Sequence, residues 1–318
     1  MATLGIDISK ADFHATLLLA SGSTKHSFPN SQAGYRQLQR WLKNRKVSEL
    51  HACMEATGAY WSGLAEHLHA QGVSVSVVNP ARVKSFGQSQ LRRTKTDRVD
   101  SEIIAEFCKT QSPVLWEPPA KEILEIRALL TYREQLIAER IRSRQVSSSI
   151  SAAHVVAAQA RQHIKQLDKL IDELENHLRT LVAEAPSLSR ATRLLETVPG
   201  IGLLSAAAIL AHLPMTRLRN SKAAAAYAGL TPCERQSGTS VKGRPRLSKI
   251  GNAQLRKALY MPALSAARGN SSLGAFAARL RAAGKKGKVV IAAVMRKLVT
   301  IAYAILKAGM PFNPGLPA

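Results

Sequence analysis

Four carboxylates in the first hundred residues sit where chemistry is possible: Asp7 in "GIDIS", Glu55 in "CMEATG", and Asp97 and Asp100 in "KTDRVDSE". Asp7 falls inside an apolar run, and burying a lone carboxylate is costly. A divalent cation lowers that cost. Mg²⁺ prefers oxygen ligands and is usually held by few carboxylates together with phosphate and water. Two such ions can clamp the attacking and leaving oxygens of a phosphodiester exchange. Asp97 and Asp100 are three apart, which puts both on one face of a helix. Arg92, Arg93, Lys95 and Arg98 surround them, and a basic field beside carboxylates suits a polyanionic substrate. Each acid also has a plainer reading. Asp97 and Asp100 would favour a helix N-terminus in any case, Glu55 could cap the turn into the next helix, and Asp12 reads as a turn residue before a strand.

A second group lies in "TPCERQSGTSVKGRPRLSKIGN" at 231–252, where Ser237, Gly238, Thr239 and Ser240 stand among Lys242, Arg244, Arg246 and Lys249. Glycine beside serine lets a phosphate approach closely, and the cations would neutralise it. A serine is a weak nucleophile unless activated. No histidine follows His212, so activation would fall to a metal, a cation or a residue of the N-terminal region. The alternative is a flexible phosphate-contact loop with no covalent chemistry. "PGIG" at 199–202 resembles a helix-hairpin-helix turn, in which Gly200 and Gly202 expose backbone N–H groups to a phosphate. The alternative there is a tight helix–helix connection.

The elements that must position these residues follow from periodicity. Short β-like runs at 3–9, 13–19 and 24–28 predict an antiparallel meander. A helix is expected from Gln32 to Lys43, a buried strand at 49–56, a helix at 60–71, and a strand at 73–80 stopped by Pro80. Helices then cover 81–90 and 97–109. The order predicts a mixed sheet with helices packed on it. The Pro-rich "SPVLWEPPA" at 112–120 marks a boundary. Helices follow at 121–145 and 160–184. Ile164, Leu167, Ile171, Leu174, Leu178 and Leu181 form a heptad seam, to be matched by the preceding helix or by another subunit. From 192 onward the chain reads as short helical segments around the polar 231–250 loop. The expected organisation is therefore α/β plus all-α, with domains at 1–112, 113–190 and 191–318.

The 318 residues carry 45 Lys+Arg against 21 Asp+Glu. Residues 201–318 hold 19 of the bases and a single acid, Glu234. That stretch supplies +18 of the formal +24, so a polyanion, nucleic acid above all, should bind mainly there. Cys53, Cys108 and Cys233 lack metal-type spacing and read as reduced thiols of a cytoplasmic, nucleoid-associated protein. "MATLGIDISK" has no basic n-region or apolar h-region, so no signal peptide is expected. The longest uncharged run, Thr197 to Thr216, is broken by Pro and Gly, and no membrane role is expected.

Acids on the first strand, the fourth strand and the last helix of this order resemble the RuvC-like branch of the RNase H fold, where such acids meet over the sheet and bind Mg²⁺. The chain as a whole resembles the DEDD transposases of insertion sequences, the IS110 family, whose relatives include Piv/MooV-type DNA invertases and bridge-RNA-guided recombinases. The likeness is carried by "GIDISK", "MEATGAYW", "NPARVKSF", "KTDRVDSEIIAEF", "VPGIGLLSAAAIL", "AAYAGLTPCERQSGT" and "LSKIGNAQLRKAL". It implies a RuvC-like N-terminal domain, a helical coiled-coil region and a C-terminal helical domain bearing a serine. It also implies Mg²⁺ bound by Asp7, Glu55, Asp97 and Asp100, and attack by Ser237 on a DNA phosphate, with Ser240 a near neighbour. A homo-oligomer, dimer or tetramer, acting on donor and target DNA with a non-coding guide RNA is the implied assembly. Such delegation leaves the protein to read backbone shape and charge. Two other functions use the same residues: a metal-dependent junction resolvase working with the four acids alone, and a non-enzymatic nucleic-acid-binding protein.

Overall fold

The computed structural model describes residues 1–56, 58, 60–90, 97–149, 154–234, 236–237, 241–242 and 245–315, with backbone only for 97–98, 149, 154, 236–237 and 241–242. The chain divides into two units, Met1–Pro119 and Ala120–Ala318. The boundary falls within the Pro-rich stretch that the sequence marks.

The first unit is built on β1 (Ala2–Ile8), β2 (Asp12–Leu19), β3 (Gly22–Pro29), β4 (Leu50–Glu55) and β5 (Ser74–Val78). They form one sheet in the order β3-β2-β1-β4-β5. The meander β1–β2–β3 is antiparallel, and β1–β4–β5 is parallel. The central strand β1 is covered on both faces, one lined by Leu4, Ile6 and Ile8 and the other by Thr3, Gly5 and Asp7. Leu4, Ile6, Phe13, Ala15 and Leu17 point to one face. There they pack with Tyr35 and Leu38 of α1 (Gln32–Lys43) and Leu64 and Leu68 of α2 (Ser62–Ala70). Alternation turns Gly5 and Cys53 to the other face. That face carries α3 (Pro80–Ser89) and α4 (Asp97–Gln111), which supply Val83, Ile103, Ile104 and Phe107. Helix starts follow ordinary chemistry: Ser31 accepts from the Gly34 amide, and Asn79 caps a helix whose first residue is Pro80.

The second unit opens with α5 (Lys121–Ser149) and α6 (His154–Glu184), packed on each other along their length. The heptad seam thus finds its partner within the chain. Leu167 and Ile171 meet Leu136, and Leu178 and Val182 meet Ile126. Arg133–Glu175 and Arg140–Asp168 ion pairs at 2.6 and 2.7 Å set the antiparallel register. Then come α7 (Pro186–Glu196), α8 (Leu203–His212), a 3-10 turn (Met215–Arg217) and α9 (Ser221–Tyr227). After the 231–250 segment follow α10 (Ala253–Ala258), α11 (Tyr260–Ala266), α12 (Ser272–Ala282) and α13 (Gly287–Ala308). α13 is long and apolar enough to cross a membrane. Here it is the core helix of its unit, with Val290, Val294, Leu298 and Ala302 fully buried among α8, α9, α11 and α12 residues.

One expectation needs correcting. The 231–250 segment, expected as a plain polar loop, contains nested antiparallel ladders. β6 (Pro232–Cys233) pairs with β9 (Arg246–Leu247), and inside them β7 (Gln236–Ser237) pairs with β8 (Val241–Lys242). Two-residue strands carry no readable period, so only tertiary pairing reveals them.

Candidate active site

The placement of the acids follows from how α4 crosses the sheet. A Cβ on Gly5 would collide with the backbone of Ser101 and Ala105, so only glycine lets helix and strand approach this closely. The Ser101 and Thr16 hydroxyls share a buried 2.8 Å hydrogen bond, and Thr16 lies opposite Gly5. Seven residues further along α4, the Cys108 thiol donates to the His51 carbonyl, and His51 lies opposite Thr3. The helix therefore runs antiparallel to β1, and its N-terminal turn lies toward the carboxyl end of that strand.

Asp7 is two residues beyond Gly5 and shares its face. Glu55 is two beyond Cys53, which lies opposite Gly5 in the parallel ladder. Thus Asp7, Glu55 and the first turn of α4, with Asp97 and Asp100, are brought to one edge of one sheet face. Asp7, Glu55 and Asp100 are half-buried. The side chains of Asp97 and Arg98, and all of Arg92, Arg93 and Lys95, lie outside the described residues. Among the described residues, no group of three or more His, Cys, Asp or Glu side chains is gathered closely enough to hold a metal ion. The donor set at the edge is all carboxylate oxygen, which fits Mg²⁺ in chemistry. Asp12, expected as a turn residue before the second strand, is instead the first residue of β2, and it accepts at 2.6 Å from the Ser9 hydroxyl.

Toward the amino end of β4, on the same sheet face, lies a buried network. His51 Nε2 and the Ser76 hydroxyl are 2.8 Å apart, and Ser76 also donates to the Pro113 and Val114 carbonyls. The Cys108 thiol hydrogen bond, with burial second, pushes the Cys53 thiol up, so Cys53 stays protonated. These groups tie β4, β5, α4 and the Pro-rich stretch together, and the sequence offered no sign of them.

In the second unit Ser237 ends β7, its backbone opposite Val241 of β8. The side chains of Ser237 and Lys242, and all of Gly238, Thr239, Ser240 and Arg244, lie outside the described residues. Arg246 and Lys249 are described and exposed. The base of the hairpin is fastened by residues that sequence reading missed. Arg256 Nη1 donates to the Ala228 and Lys249 carbonyls at 3.1 and 3.3 Å. Arg296 donates to the Leu230 carbonyl at 3.4 Å. Gly251, at φ 142°, has no room for a Cβ against the Tyr227 carbonyl. The only available signal was glycine in "AGL" and "KIGN", which names the turn but not its partner.

The glycine turn divides its labour. Gly200, at φ 89°, is pressed against Pro262 and Ala266 of α11, so its lack of a side chain serves packing. Gly202 is exposed, caps α8 without a side-chain hydrogen bond, and has open space where a Cβ would be. Both glycines are exposed, and Gly202 is the one that heads α8. At the far end of α8, Arg127 Nε donates to the Ala211 carbonyl at 2.7 Å. Burial, and then the Arg127 charge, hold His212 down at about 4, so it is neutral at pH 7.

Comparison with known proteins matches this order of parts. Residues 4–151 fit a family model described as "Transposase", and residues 192–278 fit one described as "Transposase IS116/IS110/IS902 family". The chain is 34% identical to the pilin gene-inverting protein of Moraxella bovis over 98% of its length and 97% of that protein's. The pilin gene-inverting protein of Moraxella lacunata is equally similar. The transposase for insertion sequence element IS1111A of Coxiella burnetii is 23% identical over 80% of this chain and 75% of its own. With both family models in chain order and a full-length relative at this identity, the chain belongs to the IS110 family of transposases.

Proposed function

We propose that this protein is a Mg²⁺-dependent DNA strand-exchange enzyme that works through a covalent serine–DNA link, either moving an insertion sequence or inverting a DNA segment. The observation that carries the reading is the full-length likeness to pilin gene-inverting proteins. It is supported by the convergence of Asp7, Glu55 and the start of α4 on one sheet edge, and by the place of Ser237 at the end of β7.

Asp7, Glu55, Asp97 and Asp100 would hold the Mg²⁺, which when bound supplies positive charge to the phosphate oxygens. The rest of the work belongs to the chain. The oxygen of Ser237 bonds to the phosphorus of one DNA linkage, and the bond from that phosphorus to one deoxyribose oxygen breaks. The departing oxygen takes up a proton as the serine gives one up. One phosphodiester replaces another, so a free deoxyribose hydroxyl from a different strand can reverse the step without an outside energy source. Arg246, Lys249 and the amides beyond Gly202 position the backbone by charge and hydrogen bonding. Arg92, Arg93, Lys95, Arg98, Lys242 and Arg244 belong to the same set by sequence.

A non-coding guide RNA would supply the sequence choice, consistent with a C-terminal third in which 19 bases meet one acid. Homo-oligomerisation would bring together the several strand ends that exchange requires. The test is incubation with Mg²⁺ and DNA carrying the element's ends. Asp7→Asn should abolish cleavage and leave most of the DNA affinity. Equal loss of both would contradict the division between acids and basic surface. Free nicked product unaffected by Ser237→Ala would instead favour a resolvase.

A further inference from the structure

Asn30 stands immediately after β3 and makes three side-chain hydrogen bonds. Its Nδ2 donates to the Ser9 carbonyl at 2.9 Å and to the Tyr60 carbonyl at 3.2 Å. Its Oδ1 accepts from the Tyr35 hydroxyl at 2.7 Å. Its backbone N–H donates to the Ala11 carbonyl at 2.8 Å. The two Nδ2 acceptors are not arbitrary. Ser9 opens the turn two residues past Asp7, and Tyr60 lies in the segment that leaves β4 just past Glu55. Tyr35, which aims the amide, is itself 6% exposed and rooted in the core of the unit.

We propose that Asn30 is a positioning residue that couples the two acid-bearing strand ends, fixing the separation of Asp7 and Glu55 before any metal arrives. The inference rests on the function proposed above for its catalytic meaning, though the coupling itself does not. An amide is suited to the task because its two N–H groups diverge toward two different carbonyls. A carboxylate would set oxygen against both.

The experiment uses the full chain, metal-free, and compares wild type with Asn30→Ala, Asn30→Asp and Tyr35→Phe. Amide hydrogen exchange is read at Ser9 and Ala56, whose N–H groups bond to the Asp12 and Val78 carbonyls. Leu17 and Ala52, inside the sheet, serve as controls. Losing the three side-chain hydrogen bonds, two of them bridging, should raise exchange at both Ser9 and Ala56 by about fivefold or more in Asn30→Ala, with the controls unchanged. Asn30→Asp should be at least as severe, and Tyr35→Phe milder in the same direction. A Mn²⁺ titration followed by electron paramagnetic resonance should show weaker binding in the same rank order. Exchange at Ser9 and Ala56 unchanged from wild type overturns the proposal. So does loss of protection throughout the sheet, which would make Asn30 merely structural. Wild type that binds no Mn²⁺ sinks the metal reading, while the exchange data still decide the coupling.

Discussion

Gly5 shows how much one residue decides. Its missing side chain lets α4 lie against β1, and that approach carries the Asp97–Asp100 turn toward Asp7. Gly5→Val should force helix and strand apart and cost about 1–3 kcal/mol or more by overpacking. Urea unfolding would report the loss, and strand cleavage should fall further than stability alone explains. Ser101→Ala should cost about 1–3 kcal/mol, because it strands the buried Thr16 hydroxyl. His212 gives a pH signature. Its folded value of about 4 lies below the ordinary 6.5, so the unfolded chain binds its proton first. Stability should therefore fall as pH drops from about 6.5 toward 4. With allowance for its partial exposure, the effect is on the order of 2 kcal/mol. Melting temperatures of His212→Gln across that window should show a flatter profile than wild type.

At the scale of elements, the serine hairpin depends on what fastens its base. Arg256→Lys keeps the charge but cannot reproduce the guanidinium's reach to two carbonyls. It should slow covalent-adduct formation by about tenfold while leaving the fold intact by circular dichroism, since it costs about one or two hydrogen bonds. An adduct rate equal to wild type would show that the hairpin base does not position the serine. Elements also mark where sequence reading succeeds and stops. The strands bearing Asp7 and Glu55, and the helix opening at Asp97, are legible because each is long enough to show a period. The seam from Ile164 to Leu181 is legible as a seam, but its partner is not. The ridge of α5 fits it equally well in sequence terms, and the Arg133–Glu175, Arg140–Asp168, Glu139–His163 and Glu125–His177 pairs mark the register. Gly200 and Gly202 look alike in "PGIG". Gly200 has no room for a Cβ against α11 and Gly202 has, a distinction that lies wholly in tertiary packing.

At the scale of the whole molecule, the charge distribution separates affinity from chemistry. The acids that would cut lie in the first unit, and most of the net positive charge lies in residues 201–318. Neutralising the exposed pair in Arg246→Ala/Lys249→Ala should weaken DNA binding and reduce the salt slope by about 2, one for each lost phosphate contact. An unchanged slope would remove these residues from the DNA surface. The most direct test of the account is to trap the protein on DNA carrying the element's ends, denature it, digest it and identify the modified peptide by mass spectrometry. A nucleotide attached to Ser237, formed by wild type and absent from Asp7→Asn, is the predicted result. A nucleotide attached to Ser240 or elsewhere, or cleavage in good yield with no attached nucleotide at all, would contradict it.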